Sequence, residues 1–332
     1  MNLIRSCRIC TLLVMVVLSM AISHRWAAAG TPSQDANWPR FMSIGSASSG
    51  GTAFNAVAVL SQLITDKTDS QATAQVTTGG GQCIQLTRAG DFEFSLADQS
   101  IAIQAMKGTD AFAGKPYSEL TAVCELYTMY FHQFVAANSK IESIKDAVGK
   151  TMVVGGPGSG TEATTREVYQ QYGIDYNNRR DLRPEYIGIA AGVELIQNRQ
   201  ADGITSITPL PFSAFVELAI TGDAYPISMT DDAIKSMCAG NPAYTSGVIP
   251  AGTYTGQTQD IRTVCVPALL VADKNYDEQV VYEVTRLIYE NVEYLREQNN
   301  AFKEMSLENA LKNISIPLHP GAERYFKEKG LL

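Results

Sequence analysis

The chain has 332 residues, 45% of them hydrophobic and 18% charged, with a formal net charge of −8 at pH 7. That acidic balance excludes the basic patches that nucleic acids and anionic membrane surfaces require. The length suits two lobes better than a single core.

Arg5 and Arg8 precede an apolar run at 12–20, and Ala27-Ala28-Ala29 offers a small-residue cleavage pattern before Gly30. The run is too short to span a bilayer, so 1–29 reads as a cleaved export signal and the mature chain as periplasmic. Cys7 and Cys10 lie before that run, where a lipoprotein cysteine does not sit. Removing 1–29 takes away three Arg and no acid, leaving 23 basic against 34 acidic residues, a net −11. Residues 30–38 read as a flexible lead.

From residue 39 strands and helices alternate, the pattern of parallel sheets flanked by helices. A short strand ending at Gly45 runs into the Gly/Ser-rich turn 46–52, and a helix over 52–65 puts Val57, Leu60 and Ile64 on one face. A strand at 74–77, a Gly79-Gly80-Gly81 turn, a helix to Arg88 and a strand near 92–96 follow. Residues 121–137 are apolar and aromatic, and 131–137 reads as a strand crossing into a second lobe. That lobe holds a strand at 152–154, the Gly-rich turn 155–161, a helix 162–172 stopped by Gly173, a strand at 186–189, a helix 193–199 and a strand at 203–207. The polar stretch 228–262 reads as a surface excursion. Residues 264–271 form the return crossing, and one long helix over 277–297 packs back on lobe one. Lobe one is then 30–130 with 272–332, lobe two 138–263, and the two crossings form a hinge.

The turns 46–52 and 155–161 share one grammar: apolar strand, Gly/Ser-rich loop, amphipathic helix. Such a turn presents backbone N–H groups and the positive end of a helix dipole to an anion. The second turn is no nucleotide P-loop, because Thr161 stands where the lysine is needed and Glu162 where Ser/Thr is needed. Helix N-termini after Gly51 and Gly160 are therefore expected to clamp a carboxylate, with Ser159 and Thr161 as extra donors. Chain reversal alone is the bland alternative. Asp98 follows an apolar strand and reads either as a helix N-cap or as a cleft residue. Tyr127 and Tyr130 precede the crossing, where a cleft floor or the core would hold them.

Catalysis finds little support. Beyond the export signal only His132 and His319 remain, and His132 lies within an apolar strand, as a hydrogen-bonded structural residue would. No nucleophile elbow or clustered His/Cys pattern is present, so no catalytic residue, cofactor or resident metal is expected. A metal that travels with a carboxylate solute stays open. Cys83, Cys124, Cys238 and Cys265 allow three pairings; Cys238 with Cys265 is the expected disulfide, and buried free thiols are the alternative.

Several segments, in this order, resemble one family. They are Ser49-Gly50-Gly51-Thr52, Thr78-Gly79-Gly80, Gly90-Asp91-Phe92, Gly149-Lys150, and 155–162. Further on come Ile249-Pro250-Ala251-Gly252-Thr253-Tyr254, Val266-Pro267-Ala268-Leu269-Leu270 and Pro317-Leu318-His319-Pro320-Gly321-Ala322. The chain resembles, over essentially its whole mature length, a TAXI-branch solute receptor of the tripartite ATP-independent periplasmic (TRAP) transporters. The resemblance implies an α/β, two-lobed periplasmic-binding-protein fold of type II, with two crossing strands as hinge. It also implies a receptor, expected here to be monomeric, that hands a small organic anion or amino acid, glutamate-like or a dicarboxylate such as 2-oxoglutarate, to the membrane subunits of an ion-gradient-driven permease. By resemblance Ser46, Ser49, Gly50, Gly51, Thr52, Asp98, Gln99, Tyr127, Ser159, Gly160 and Thr161 line the cleft, Gln99 and Tyr127 orienting the solute. Departures are Ala53-Phe54 for an aromatic pair, Gly81 and Ile84 for polar donors, and Asp98-Gln99-Ser100 for Gln-Ser-Asp. An ionised Asp98 facing the cleft would repel a dicarboxylate and favour a solute with an amine. The rivals are a ligand-sensing module for a membrane signalling receptor and a secreted hydrolase, which the scarcity of histidine disfavours.

Overall fold

The structure is a computed structural model that describes residues 37–332 apart from Ser48, Gly50 and Asn178. The expected export signal, most of the lead and the Gly50 position lie outside the described residues. The first half of the chain runs β1 (Phe41–Ser46), α1 (Thr52–Lys67), β2 (Gln71–Val76), α2 (Gly80–Ala89), β3 (Phe94–Asp98), α3 (Gln99–Lys107) and β4 (Leu120–Ala136). Then come β5 (Thr151–Val153), α4 (Gly160–Gln170), β6 (Arg183–Glu185), α5 (Ile189–Gln197), β7 (Gly203–Thr208), α6 (Ser213–Thr221), β8 (Ala224–Pro226), α7 (Asp231–Gly240) and β9 (Thr245–Ile249). The chain returns through β10 (Ile261–Asp273) to α8 (Glu278–Glu290), α9 (Val292–Gln298) and α10 (Pro320–Glu328).

The strands form one continuous sheet in the order β2-β1-β3-β10-β4-β7-β5-β6, with β8 on β4 and β9 on β10. β1 lies parallel between β2 and β3, and β5 lies parallel between β6 and β7. β10 joins the first trio antiparallel through β3, and β4 joins the second antiparallel through β7. β4 and β10 pair with each other between them. Each parallel trio is thus closed by a strand that goes on into the other half, the two-strand crossing of a type II periplasmic binding protein. Both crossing strands are buried along nearly their whole length. This explains their continuous apolar runs, since a strand covered on both faces loses its alternation.

The helices cover the sheet as their periodicity dictates. α1 buries Ala56, Val57, Leu60, Leu63 and Ile64, and α8 buries Val281, Val284, Leu287 and Ile288. The expected long helix over 277–297 is broken at Asn291, whose side-chain amide donates to the Leu287 carbonyl at 2.8 Å. The stretch 228–262 is no surface excursion. It folds into α7, capped by the Thr230 hydroxyl, and into β9, which pairs with β10. The strand expected at 186–189 lies earlier, as the three-residue β6, and Ile189 already opens α5. All four described cysteines are free thiols, so the expected Cys238–Cys265 bridge is corrected. Cys265 is instead packed on Gly247 of β9, where even a methyl would overlap its Sγ.

Candidate functional site

The loops that leave β2, β3 and β5 meet at the junction of the two half-sheets. Asp98 ends β3 and caps α3: Oδ1 accepts from the Ile101 amide at 3.1 Å and from the Ser100 hydroxyl at 2.5 Å. The same carboxylate lies against Gly160 at the start of α4. A methyl built on Gly160 would stand 2.6 Å from Asp98 Cγ and closer still to Oδ2. Oδ2 is also 3.7 Å from a methyl built on Gly80 at the start of α2. One carboxylate therefore sits where the positive ends of three helices converge. Burial nonetheless raises its pKa, outweighing the bonds from Ser100 and Ile101 that favour the charge.

The turns beside it also touch. Methyls built on Gly81 and Gly79 would stand 3.5 and 3.8 Å from the Gly158 carbonyl oxygen. These are ordinary van der Waals distances, so contact with the turn after β5 does not by itself require glycine at 81. Ile84, the other departure noted above, is fully buried in the core.

The expected ligand donors divide into committed and open groups. The Ser159 hydroxyl donates to the Gly156 carbonyl at 2.7 Å and accepts from the Glu162 amide at 3.2 Å, so α4 is self-capped. Thr161 Oγ1 accepts from the Ile207 amide at 3.4 Å. The Gln99 amide donates to the carbonyls of Asn313 (2.9 Å) and Pro242 (3.4 Å) and accepts from Ser315 at 2.7 Å, which ties α3 to two distant loops. By contrast, α1 and α2 begin at Gly51 and Gly79 with no side-chain cap. Ser46, at the end of β1, has a buried hydroxyl with no hydrogen-bond partner among the described residues. Ser49, Gly51 and Thr52 form the more exposed turn into α1. Tyr127 is buried edge-on to Phe302 at 6.3 Å, and burial followed by the nearby Asp98 charge raises its pKa.

Sequence reasoning missed the polar seam beside Asp98. Tyr244 donates to Glu167 Oε1 at 3.2 Å and lies 3.3 Å from the Thr164 hydroxyl. Asn241 donates to Glu167 Oε2 at 2.9 Å, and Arg166 pairs with Asp110 across the junction at 3.0 Å. Burial raises the Glu167 pKa in spite of these bonds. A cavity of about 390 Å³ opens here between α3, α4 and α7. Only the Glu162–Arg166 spacing on α4, a pair at 3.3 Å, was readable from the chain. The rest joins residues far apart in sequence.

His132 is structural. Its Nδ1 lies 2.8 Å from the Tyr130 carbonyl, which only accepts, so Nδ1 carries the proton. Nε2 then accepts from the Tyr254 hydroxyl at 2.8 Å. Burial lowers its pKa to about 4, which keeps it neutral. Among the described residues no group of His, Cys, Asp and Glu is placed to hold a metal ion, and no helix is long and apolar enough to cross a membrane.

Comparison with solved structures places the fold. A protein from Bordetella bronchiseptica is 13% identical over 87% of this chain and 82% of its own, with a TM-score of 0.51. A Xanthomonas citri protein bound to chloride ion is 10% identical over 87% of this chain and 96% of its own, also at 0.51. The alkanesulfonate-binding protein SsuA from Xanthomonas axonopodis pv. citri, bound to MOPS, is 15% identical over 88% of this chain and 85% of its own, at 0.49. The two structures at 0.51 speak, at these identities, to the fold alone. The family model described as NMT1-like matches residues 44–330, and the chain belongs to the NMT1-like family.

Proposed function

We propose that the chain is an extracytoplasmic solute receptor, not an enzyme, which captures one small carboxylate-bearing solute and delivers it to an ion-gradient-driven TRAP permease. The observation that carries this reading is the Asp98 carboxylate held at the junction against Gly80 and Gly160. Lobe one (30–130 with 272–332) closes on lobe two (138–263) about the crossing strands. The solute carboxylate meets the uncapped starts of α1 and α2 and the unpartnered Ser46 hydroxyl. This revises the expected clamp: α4 already carries its own Ser159 cap and the Asp98 carboxylate, and so offers an anion less.

An ionised Asp98 favours an amino acid such as glutamate over a dicarboxylate such as 2-oxoglutarate. A second carboxylate at contact distance costs about 1–4 kcal/mol, depending on the effective dielectric. Delivery to a TRAP permease rests on the ordered segments that resemble the TAXI receptors.

Titration calorimetry with L-glutamate and 2-oxoglutarate, on the wild type and Asp98→Asn, tests the reading. The amino acid is expected to bind the wild type more tightly, and the variant to lose that preference while keeping the α3 cap through its side-chain oxygen. Equal preference in both proteins would reduce Asp98 to a cap.

A further inference from the structure

A second candidate site lies on the other face of the crossing strands. Asp98 pairs with Ala268 of β10, while Cys265 of the same strand pairs with Tyr130 of β4. Positions 265 and 268 point to opposite faces, because side chains alternate along a strand. On the Cys265 face a cavity of about 480 Å³ opens between β4, β9 and the segment 304–313.

Glu125 of β4 lines it and is only 7% exposed. Its carboxylate accepts from the Thr128 hydroxyl at 2.7 Å and from the Asn313 amide at 3.3 Å. Both partners are neutral. Among the described residues no basic side chain forms an ion pair with Glu125. Burial raises the Glu125 pKa, the Glu304 charge adds to that, and the bonds from Thr128 and Asn313 and the Lys312 charge only partly offset it. Tyr130 lines the same cavity, and Glu304, exposed at the mouth, lies close enough for its charge to help raise the Tyr130 pKa, after burial. Lys312 lies exposed on the rim.

We propose that this cavity is a second small-molecule site, separate from the Asp98 junction, and that it takes a small organic ammonium compound. The ammonium seats on Glu125, which Thr128 and Asn313 hold in place. The Tyr130 ring offers its negative face to the same charge, and Glu304 adds a second carboxylate at the entrance. Lys312 on the rim limits the occupant to a single positive charge.

Calorimetry of the full mature protein with choline, with ethanolamine and with the uncharged carbon isostere of choline tests the assignment. At least one of the two ammonium compounds is expected to bind saturably, and the isostere not at all. Glu125→Gln is expected to weaken binding by about tenfold or more, as loss of a charged partner does. Glu304→Lys, on an exposed residue, is expected to weaken it as well, and so carries the test should the Gln variant misfold. Asp98→Asn is expected to leave it unchanged. No saturable binding of either ammonium compound would overturn the proposal. So would binding that disappears with Asp98→Asn and survives both Glu substitutions.

Discussion

Gly160→Ala separates a contact made on closure from one that is merely part of the fold. A methyl there would stand 2.6 Å from Asp98 Cγ, closer still to Oδ2, and 3.0 Å from Ile207 Cδ1. The carboxylate would have to retreat by about 1–1.5 Å to reach van der Waals separation. It is held by the Ile101 amide and the Ser100 hydroxyl, so the retreat strains both bonds. Overpacking of this kind costs about 1–3 kcal/mol. If Asp98 and Gly160 meet only when the lobes close, the whole cost falls on the closed, ligand-bound form. Affinity for the solute should then drop about 5- to 150-fold, while the ligand-free protein keeps its melting temperature. Calorimetry with the bound solute and a thermal melt without it read the two quantities. Unchanged affinity together with a lowered melting temperature would refute the reasoning and make the contact a permanent part of the core.

Arg166→Ala removes a partly exposed ion pair with Asp110 across the same junction, together with the pair to Glu162 on its own helix. Solvent screening keeps such a pair below about 1 kcal/mol, so solute affinity should fall less than about fivefold, and less again in high salt. His132 binds its proton far more weakly folded than unfolded, so its contribution is present at neutral pH and is lost as pH falls from 6.5 toward about 4. About 3 kcal/mol should go over that window. His132→Phe should therefore flatten the fall in denaturation midpoint between pH 7 and 4.5, and an equal slope in both proteins would count against the assignment. Gly321→Ala places a methyl onto the Glu278 carbonyl oxygen and 2.7 Å from the Tyr282 amide nitrogen, where α10 rests on the α8 backbone. It should lower stability by about 1–3 kcal/mol in urea melts, whereas Gly188→Ala, which meets nothing within 4 Å, should be near neutral.

Much of the fold was legible because it is written in local patterns. The strand, Gly-rich turn and helix grammar marks β1–α1 and β5–α4, and the apolar runs mark β4 and β10. Elements with thin local signals were lost. α7 buries only Ala233, Ile234 and Met237, so its window reads as polar, and β6 is three residues long. The break at Asn291, where the backbone leaves the helical region (φ −121°, ψ 27°), falls within a helical pattern that continues past it.

The site was legible in its parts but not in its assembly. Asp98 read as a cap or as a cleft residue, and it caps α3 while facing α4. Gln99 is expected in the cleft by resemblance, and its bonds to Pro242, Asn313 and Ser315 join residues 143 to 216 positions away. No local pattern announces such bonds. Glu125 gave no signal either, since its burial comes from the 304–313 segment closing over β4.

Capture of a small solute is tested most directly by a thermal-shift screen of the refolded, ligand-free protein against amino acids and organic acids. A binder at a hundredfold over its dissociation constant adds about 2.7 kcal/mol, enough to raise the midpoint by degrees. The account predicts a shift with an acidic amino acid, larger than with any dicarboxylate. No shift with any amino acid or carboxylate would contradict it.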